Sequence, residues 1–294
     1  MTELRATLIG STAVLMWGAL ALFTTWTGGI PPFQLVAMTF SIAFLLMLGK
    51  WVLYRESPLS HLRHPLKVWV FGVAGLFGYH AFYFLALKTA PAVEASLIAY
   101  LWPLLIVVFS ALLPGSERLG PHHLIGAVMG FVGCALLVTK GGSISLQPEY
   151  TVGYLAATAC ALTWSSYSVG SRFFGSVPTD AVGWFCAATA LGGALCHLAF
   201  EDWVQPATTG EWLGILLLGI GPVGAAFFTW DIGMKRGNLR LLGVFSYMAP
   251  LISALLLVAT GQAAADWPLA IACALITGGA LVAAIRQIGL PKRA

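Results

Sequence analysis

The sequence predicts an all-α polytopic membrane protein with ten transmembrane helices in two inverted five-helix repeats. Three observations carry this prediction. Of the 294 residues, 59% are apolar and 9% are charged, whereas an ordinary soluble domain has about 25% charged residues. Apolar stretches long enough to cross a bilayer as helices recur from end to end, and the two halves of the chain share one pattern at a fixed offset.

The apolar stretches are each about 20 residues long, the length that a helix needs to cross a bilayer. They leave no room for a soluble domain. The first stretch is longer than the usual apolar core of a signal peptide, and the internal repeat requires it, so we count it as a helix. The predicted spans cover residues 6–27, 32–53, 67–88, 90–113, 121–139, 150–173, 179–200, 209–234, 238–260 and 266–287.

The distribution of cations predicts that both termini are cytoplasmic. With that orientation, only Lys88 and Lys140 of the 15 lysines and arginines lie outside, as the positive-inside rule demands. The basic charge therefore reflects membrane orientation and indicates no nucleic-acid partner. The cytoplasmic cations are Arg5, Lys50, Arg55, Arg63, Lys67, Arg118, Arg172, Lys235, Arg236, Arg240, Arg286, Lys292 and Arg293.

A gene duplication is indicated by matches between residues 1–147 and residues 148–294. A copy of the sequence shifted by 147 residues meets itself at a tryptophan, a tyrosine, a lysine and two prolines without gaps. Five spans per half is an odd number, so the second half must enter the membrane from the opposite side, an arrangement typical of secondary transporters. The matched pairs are Trp17 and Trp164, Gly28 and Gly175, Pro31 and Pro178, Lys88 and Lys235, Tyr100 and Tyr247, and Pro103 and Pro250.

The repeat places a proline inside an apolar span twice, in AYLWPLL (residues 99–105) and in SYMAPLI (residues 246–252). Proline removes a backbone hydrogen bond and kinks a helix. We therefore interpret Pro103 and Pro250 as bending points of a transport cycle, with a tolerated packing kink as the alternative. Four further residues are expected to fix the turns after the first and sixth spans: Gly28, Pro31, Gly175 and Pro178.

The aromatic residues fall at two depths. Eight of the eleven tryptophans lie near span ends, where the interfacial aromatic belt accounts for them: Trp26, Trp51, Trp69, Trp184, Trp203, Trp212, Trp230 and Trp267. The others lie near mid-span with five tyrosines, where a buried N–H or O–H needs a partner. As a set they predict the lining of a central cavity, although internal packing explains any single one. This set is Trp17, Tyr79, Tyr83, Tyr100, Trp102, Trp164, Tyr167 and Tyr247.

Ionisable residues are scarce inside the spans. His80 is expected at mid-membrane, where an ionisable group is a functional candidate by default, with a structural hydrogen bond as the alternative. Asp231 and Lys235 are four residues apart and are expected to pair on one helix face. Glu94 is the other candidate carboxylate, which Lys88 could neutralise across a short loop. Because no acid lies at true mid-depth, we expect a facilitator, or weak proton coupling through His80, rather than obligatory coupling.

Enzyme functions lack their groups. The spans contain no HExxH, GxSxG or Walker-type motif, and the five cysteines lie inside spans without a CxxC pair. We expect no catalysis, no metal and no cofactor. Three glycines of the fifth span, Gly126, Gly130 and Gly133, favour close helix packing. A monomer is expected, with a dimer through this glycine face as the alternative.

The segment ERLGPHHLIGAVMGFVGCALLV, residues 117–138, resembles the EamA-type branch of the drug/metabolite transporter superfamily. Gly115, Glu117 and the glycines from Gly126 onwards match the turn and glycine-rich last helix of the family's first repeat. The second copy departs from this pattern at Gly261 and Gln262. The resemblance implies a basket of ten helices around a central cavity, with the fifth and tenth helices at its periphery.

Within that superfamily, AYLWPLL and the aromatic-rich spans 1, 3 and 6 resemble exporters of aromatic amino acids. The resemblance alone implies export across a bacterial inner membrane. An uncharged lining suits aromatic and bulky neutral amino acids, with His80 meeting a polar group. Three alternatives stay open: a broader, proton-coupled metabolite or drug exporter, a lipid or nucleotide-sugar carrier, which should carry central cations, and a membrane scaffold that carries no flux.

Overall fold

The computed structural model describes residues 1–115 and 119–288, which are helices joined by short connections and contain no strand. The all-α class is thereby confirmed. The helices are α1 (Glu3–Trp26), α2 (Pro32–Leu53), α3 (Leu66–Thr89), α4 (Ala92–Ser110), α5 (Pro121–Thr139), α6 (Thr151–Gly170), α7 (Ala181–Phe200), α8 (Thr209–Arg236), α9 (Leu239–Ala259) and α10 (Trp267–Ile288). Glu117, Arg118, Lys292 and Arg293 lie outside the described residues.

Within this part of the chain, nine helices are long and apolar enough to cross a membrane. The helix that fails this criterion is α6. Its 20 residues suffice in length, since a helix rises about 1.5 Å per residue, but the run from Thr163 to Ser168 lowers its hydropathy. The face of α6 that includes Trp164, Ser165 and Ser168 is buried against other helices, so its polar groups do not face lipid.

Five helices are interrupted. The helix α1 breaks at Ala19, α4 at Tyr100 and Leu101, and α9 at Ser246 and Tyr247. In α3 and α8 the helix continues through π-helical turns, Ala74–Gly78 and Gly221–Ala225. π-Helical turns are rare in proteins overall, and those that occur are often found at functional sites.

In α4 and α9, the proline lies just after the interruption, at the start of the second helical segment. The second segments begin at Trp102 and Met248, so Pro103 and Pro250 lie in the first turn of a helix. The first turn is the place where the missing N–H of proline costs least.

Two helix pairs are held by direct backbone approach. A Cβ atom at Gly126 of α5 would lie 2.5 Å from the Gly279 carbonyl oxygen of α10, and one at Gly10 of α1 would lie 2.8 Å from Gly233 Cα of α8. Gly133 likewise faces Ile276 of α10. The glycine face of α5 is therefore used inside the chain, which is incompatible with the alternative of a dimer through that face.

Helices α2 and α7 are fastened at both ends. At one end, the Glu201 carboxylate accepts hydrogen bonds of 3.0 Å from the backbone N–H groups of Phe33 and Gln34, where an anion is stabilised by the helix dipole. At the other end, Lys50 Nζ lies 2.6 Å from Asp180 Oδ1 and Trp51 Nε1 donates to the same oxygen. We call these the Glu201 clasp and the Asp180 clasp.

The contacts of the Asp180 clasp change the pKa of the Asp180 carboxyl group. Partial burial alone would raise the pKa of Asp180, but the hydrogen bonds from Lys50 and Trp51 and the charge of Lys50 outweigh it and lower the pKa below its usual range. The clasp is therefore formed by an ionised carboxylate.

Two of the eight tryptophans assigned to the interfacial belt face other helices rather than lipid. Trp51 is fully buried and Trp230 is 1% exposed. Sequence distance from a helix end does not reveal which face a side chain occupies, and both rings point into the bundle.

Gly126→Ala should lower the unfolding temperature in detergent, because the new methyl group would collide with the Gly279 carbonyl oxygen. Overpacking of this kind costs about 1–3 kcal/mol. Gly49→Ala is the matched control, since nothing lies within 4 Å of a Cβ at that helical position. Equal unfolding temperatures for the two variants would contradict the close α5–α10 approach.

Candidate functional site

A cavity of about 180 Å³ lies among α1, α3, α4, α6, α8 and α9. Seven of the nine residues that the sequence assigned to binding line it: Trp17, Tyr79, His80, Tyr83, Tyr100, Trp102 and Trp164. The cavity is smaller than most small-molecule pockets, which measure about 300–1,000 Å³. Because an apolar cavity of about 150 Å³ holds a benzene ring, a single ring fits, and a ligand much larger than that must displace side chains or helices in order to bind.

Tyr167 and Tyr247 do not line this cavity. Tyr167 packs between Trp164 and Phe71, and Tyr247 is fully buried against Gly130 of α5. The Tyr247 hydroxyl donates to the Tyr100 carbonyl oxygen at 3.3 Å. Both tyrosines support the cavity wall from behind.

Four indole rings meet at the base of the cavity. All six ring-centroid distances within this tryptophan cluster lie between 5.0 and 6.4 Å, a range in which each pair contributes about 0.5–1.5 kcal/mol beyond burial. The ring of Phe227 packs against two of them. The cluster consists of Trp17, Trp102, Trp164 and Trp230.

The repeat offset could have identified the residues that sequence reasoning missed. Phe227 lies 147 residues after His80, and Trp230 lies 147 residues after Tyr83. Both are aromatic residues that correspond to predicted cavity residues. Pairing each predicted position with its repeat partner would have placed Trp230 in the interior.

The π-helical turns supply acceptors for two polar rings. Trp17 Nε1 donates to the Pro222 carbonyl oxygen at 2.9 Å, and His80 Nδ1 lies 2.7 Å from the Leu76 carbonyl oxygen. A carbonyl can only accept, so Nδ1 of His80 carries the proton. Nε2 of the neutral ring is then left as an acceptor at the cavity wall.

The rest of the cavity lining is weakly polar. The Tyr83 hydroxyl and Ser96 Oγ lie 3.3 Å apart, and within the described residues no Asp, Glu, Lys or Arg contributes to the lining. The cavity can therefore surround a ring and meet a small number of hydrogen-bonding groups. It has no fixed charge that would neutralise a phosphorylated or dianionic ligand.

The charged residues of α8 form a buried pair outside the cavity. Lys235 Nζ lies 2.8 Å from Asp231 Oδ2, and their side chains are 7% and 4% exposed. Thr179 Oγ1 donates to the same carboxylate oxygen at 2.7 Å, and Lys235 donates to the Val177 carbonyl oxygen at 2.9 Å. The pair thus fastens α8 to the connection between α6 and α7.

Lys88 and Glu94 do not form a corresponding pair. Lys88 is exposed, and neither residue has an ion-pair partner within 4.0 Å among the described residues. The suggestion that Lys88 neutralises Glu94 through an ion pair is therefore wrong for this conformation.

The four turn residues lie in the two connections where they were expected. Gly28 has φ = +62°, a left-handed conformation that favours glycine, whereas Gly175 has φ = −59° and needs no glycine. Pro31 precedes α2 as its N-cap residue, and Pro178 lies before α7. The two connections are thus related in sequence but differ in backbone conformation.

One cluster offers metal-ligand atoms. The ligand atoms of Glu56, His61 and Asp180 lie within 4.8 Å of one another. The Lys50 ammonium group lies 2.9 Å from Glu56 and 2.6 Å from Asp180. It already supplies the positive charge that a cation would bring.

Lys235→Met should destabilise the protein strongly, because it leaves the buried Asp231 carboxylate without its cation. Breaking a buried pair in this way costs about 3–5 kcal/mol, measured as a fall in the unfolding temperature in detergent. Lys235→Met combined with Asp231→Asn should recover much of the loss. A double variant as unstable as the single one would contradict the pairing as the cause.

Comparison with known proteins identifies the family. The model of the EamA-like transporter family matches residues 4–139 and again residues 151–285. A solved crystal structure that is 57% identical superposes with a TM-score of 0.90 and covers 96% of this chain and 98% of its own.

Curated relatives include several exporters. The aromatic amino acid exporter YddG of Ancylobacter novellus is 58% identical over 97% of this chain and 99% of its own length. The YddG of Escherichia coli is 23% identical over 96% and 97%, and the pseudopaline exporter CntI of Pseudomonas aeruginosa is 29% identical over 68% of each chain. The resemblance seen in the sequence is confirmed. With two matches to the family model and a helical architecture of this kind, the chain belongs to the EamA-like transporter family and is a multi-pass membrane protein.

Proposed function

We propose that this transporter exports aromatic and bulky neutral amino acids by alternating access. The observation that carries the proposal is the uncharged aromatic cavity, whose lining offers ring faces and few polar groups. The relative that is 58% identical over nearly the whole chain is named an aromatic amino acid exporter. The direction of transport rests on the relatives that are named exporters.

In the proposed topology, α6 joins the nine apolar helices to give ten spans in two inverted repeats, residues 1–147 and 148–294. The π-helical turns support it, since Ala74–Gly78 and Gly221–Ala225 lie 147 residues apart. The double match to the family model supports it as well. Both termini would lie in the cytoplasm of a bacterial inner membrane, with 13 of the 15 cations on that side.

Substrate recognition divides between ring faces and His80. The rings that line the cavity and pack against an aromatic side chain are those of Trp17, Tyr79, Trp102 and Trp164. Nε2 of His80 accepts a hydrogen bond from the substrate ammonium group, which the direction of the His80–Leu76 hydrogen bond favours. Tyr83 and Ser96 are placed to bind the carboxylate group. Tyr167 and Tyr247 act as supports of this wall.

Obligatory proton coupling is not part of the proposal. Asp231 lies outside the cavity and is held by Lys235 and Thr179, and Glu94 does not line the cavity. A facilitator needs no titrating acid at the substrate. The alternative is a broader exporter with proton coupling, which the relative named pseudopaline exporter favours at 29% identity.

Pro103 and Pro250 are proposed to be the bending points. Each follows a break in its helix, and Pro250 itself lines the cavity. A change of angle at these breaks would open one end of the cavity while it narrows the other. The clasped pair α2–α7 and the closely packed pair α5–α10 would stay fixed, with Gly28, Pro31, Gly175 and Pro178 at the connections that transmit the motion.

Exchange in proteoliposomes tests the function. With unlabelled tryptophan inside, the purified protein should take up radiolabelled tryptophan much faster than radiolabelled alanine, because only the former fills an aromatic cavity. Empty liposomes give the background. Equal uptake of both would favour the broader exporter, and no uptake of either would remove amino acids as the substrate class.

A pH gradient applied to the same vesicles tests proton coupling. Without obligatory coupling, the gradient should not drive tryptophan accumulation.

His80→Ala should raise KM for tryptophan about tenfold, the loss expected for a hydrogen bond to a charged group, while His64→Ala in the loop before α3 should leave KM unchanged. An unchanged KM in His80→Ala would contradict the binding role of His80.

Pro103→Ala and Pro250→Ala should slow turnover more than they weaken binding. Continuous helices resist the change of angle that a proline break allows. The comparison is between kcat for exchange and the tryptophan affinity of detergent-solubilised protein. Unchanged kcat in both variants would remove these prolines from the gating mechanism.

A further inference from the structure

A second cavity of about 600 Å³ lies at the opposite end of the same helices. Its lining combines one carboxylate, two guanidinium groups and apolar groups, and includes Glu3, Ser110, Leu113, Arg172, Phe173, Leu239 and Arg240. We call it the vestibule. In the proposed topology it faces the cytoplasm.

The vestibule and the central cavity share an axis. The helices α1, α4, α6 and α9 contribute Trp17, Trp102, Trp164 and Ala249 to the central cavity. The same four helices, or the residues at their ends, supply the vestibule lining. Along α6, Trp164 and Arg172 are eight residues apart, which corresponds to about 12 Å.

A barrier without solvent access separates the two. Each of the four helices carries a fully buried residue between its cavity position and its vestibule position: Val14, Ile106, Ser168 and Leu242. Trp230 lies over this layer and donates through Nε1 to Ser168 Oγ at 3.0 Å. In this conformation a molecule in the vestibule is stopped one layer short of the tryptophan cluster.

Arg172 presents unused donors at the vestibule wall. Its Nε donates to the Met234 carbonyl oxygen at 2.6 Å, and its Nη2 donates to the Gly237 carbonyl oxygen. These bonds hold the guanidinium group rigidly at the end of α8, and among the described residues Nη1 has no acceptor. Partial burial lowers the pKa of Arg172, while the negative charge of Glu3 opposes the shift. Arginine stays protonated in proteins.

Glu3 supplies the opposite charge. Its carboxylate is exposed and has no ion-pair partner within the described residues, and Glu3 lines the same cavity as Arg172. The side chains of Leu113, Phe173 and Leu239 form an apolar wall next to these charges. Guanidinium groups, a carboxylate and an apolar wall in one cavity match the three parts of an amino acid with an apolar side chain.

We propose that the vestibule is an entry site for zwitterionic amino acids, in which Arg172 binds the carboxylate, Glu3 binds the ammonium group and the apolar wall holds the side chain. It recognises the backbone of the substrate, whereas the uncharged central cavity recognises the ring. This site rests on the proposed function and adds to it a step before the barrier opens. The carboxylate of Glu3 favours a ligand that also carries an ammonium group over a purely anionic one.

Transport kinetics from each side test the vestibule. In proteoliposomes of determined orientation, Glu3→Gln and Arg172→Lys should each raise KM for tryptophan entering from the vestibule side about three- to fivefold, the size expected of a partly exposed ion pair. KM from the opposite side should not change. Glu3→Gln removes no hydrogen bond, whereas Arg172→Lys keeps the positive charge but not the two-point attachment to the Met234 and Gly237 carbonyl oxygens. The unfolding temperature in detergent checks that both variants fold. Asp202→Asn, an exposed acid at the other end of the bundle, is the matched control.

Tryptamine separates carboxylate recognition from a general effect. It lacks the carboxylate group, so Arg172→Lys should leave its competition from the vestibule side unchanged. Equal KM values for wild type and both variants, equal changes from both sides, or an equal effect on tryptamine would overturn the vestibule site and leave the proposed function intact. No tryptophan flux in the wild type would overturn the proposed function, and the vestibule proposal with it.

Discussion

The structure depends on one constraint, the satisfaction of polar groups where no water is present. In hydrocarbon, an unpaired N–H or O–H costs several kcal/mol. Three ring N–H groups at mid-depth satisfy this constraint by donating to another part of the protein: Trp17 donates to Pro222, His80 to Leu76 and Trp230 to Ser168. Because the two carbonyl acceptors lie in π-helical turns, the irregular parts of α3 and α8 fix the orientation of the cavity's rings.

The distribution of charge follows from the same constraint. Within the described residues, several acids and cations near helix ends and in connections fasten neighbouring helices. Glu201 fastens α2 and α7 at one end and Asp180 does so at the other, and the pair of Asp231 and Lys235 binds α8 to the α6–α7 connection. The cavity between these fastenings is left uncharged, which suits a neutral substrate and excludes strong ionic trapping.

Transport needs some helices to move and others to stay, and the packing separates the two groups. Backbone contact between Gly126 and Gly279 holds α5 to α10, and the two clasps hold α2 to α7. The helices α4 and α9 are each broken near the cavity, close to Pro103 and Pro250. In the proposed mechanism, the vestibule, the buried layer and the cavity form one pathway that is closed at a single level. Rearrangement of that layer would connect its two ends.

The sequence by itself determined the membrane class, the helix positions, the family and seven of the nine proposed binding residues, because apolar length, proline and depth of aromatic residues are local properties of a chain. Tertiary structure alone decided which way each ring points. It moved Trp230 from the interface into the tryptophan cluster, removed Tyr247 from the cavity and separated Lys88 from Glu94. It also assigned the proton of His80, since a hydrogen-bond partner is known only once the backbone around it has folded. The direction in which a side chain points and the partner that it binds depend on neighbours that are distant in sequence, so no local sequence pattern reveals them.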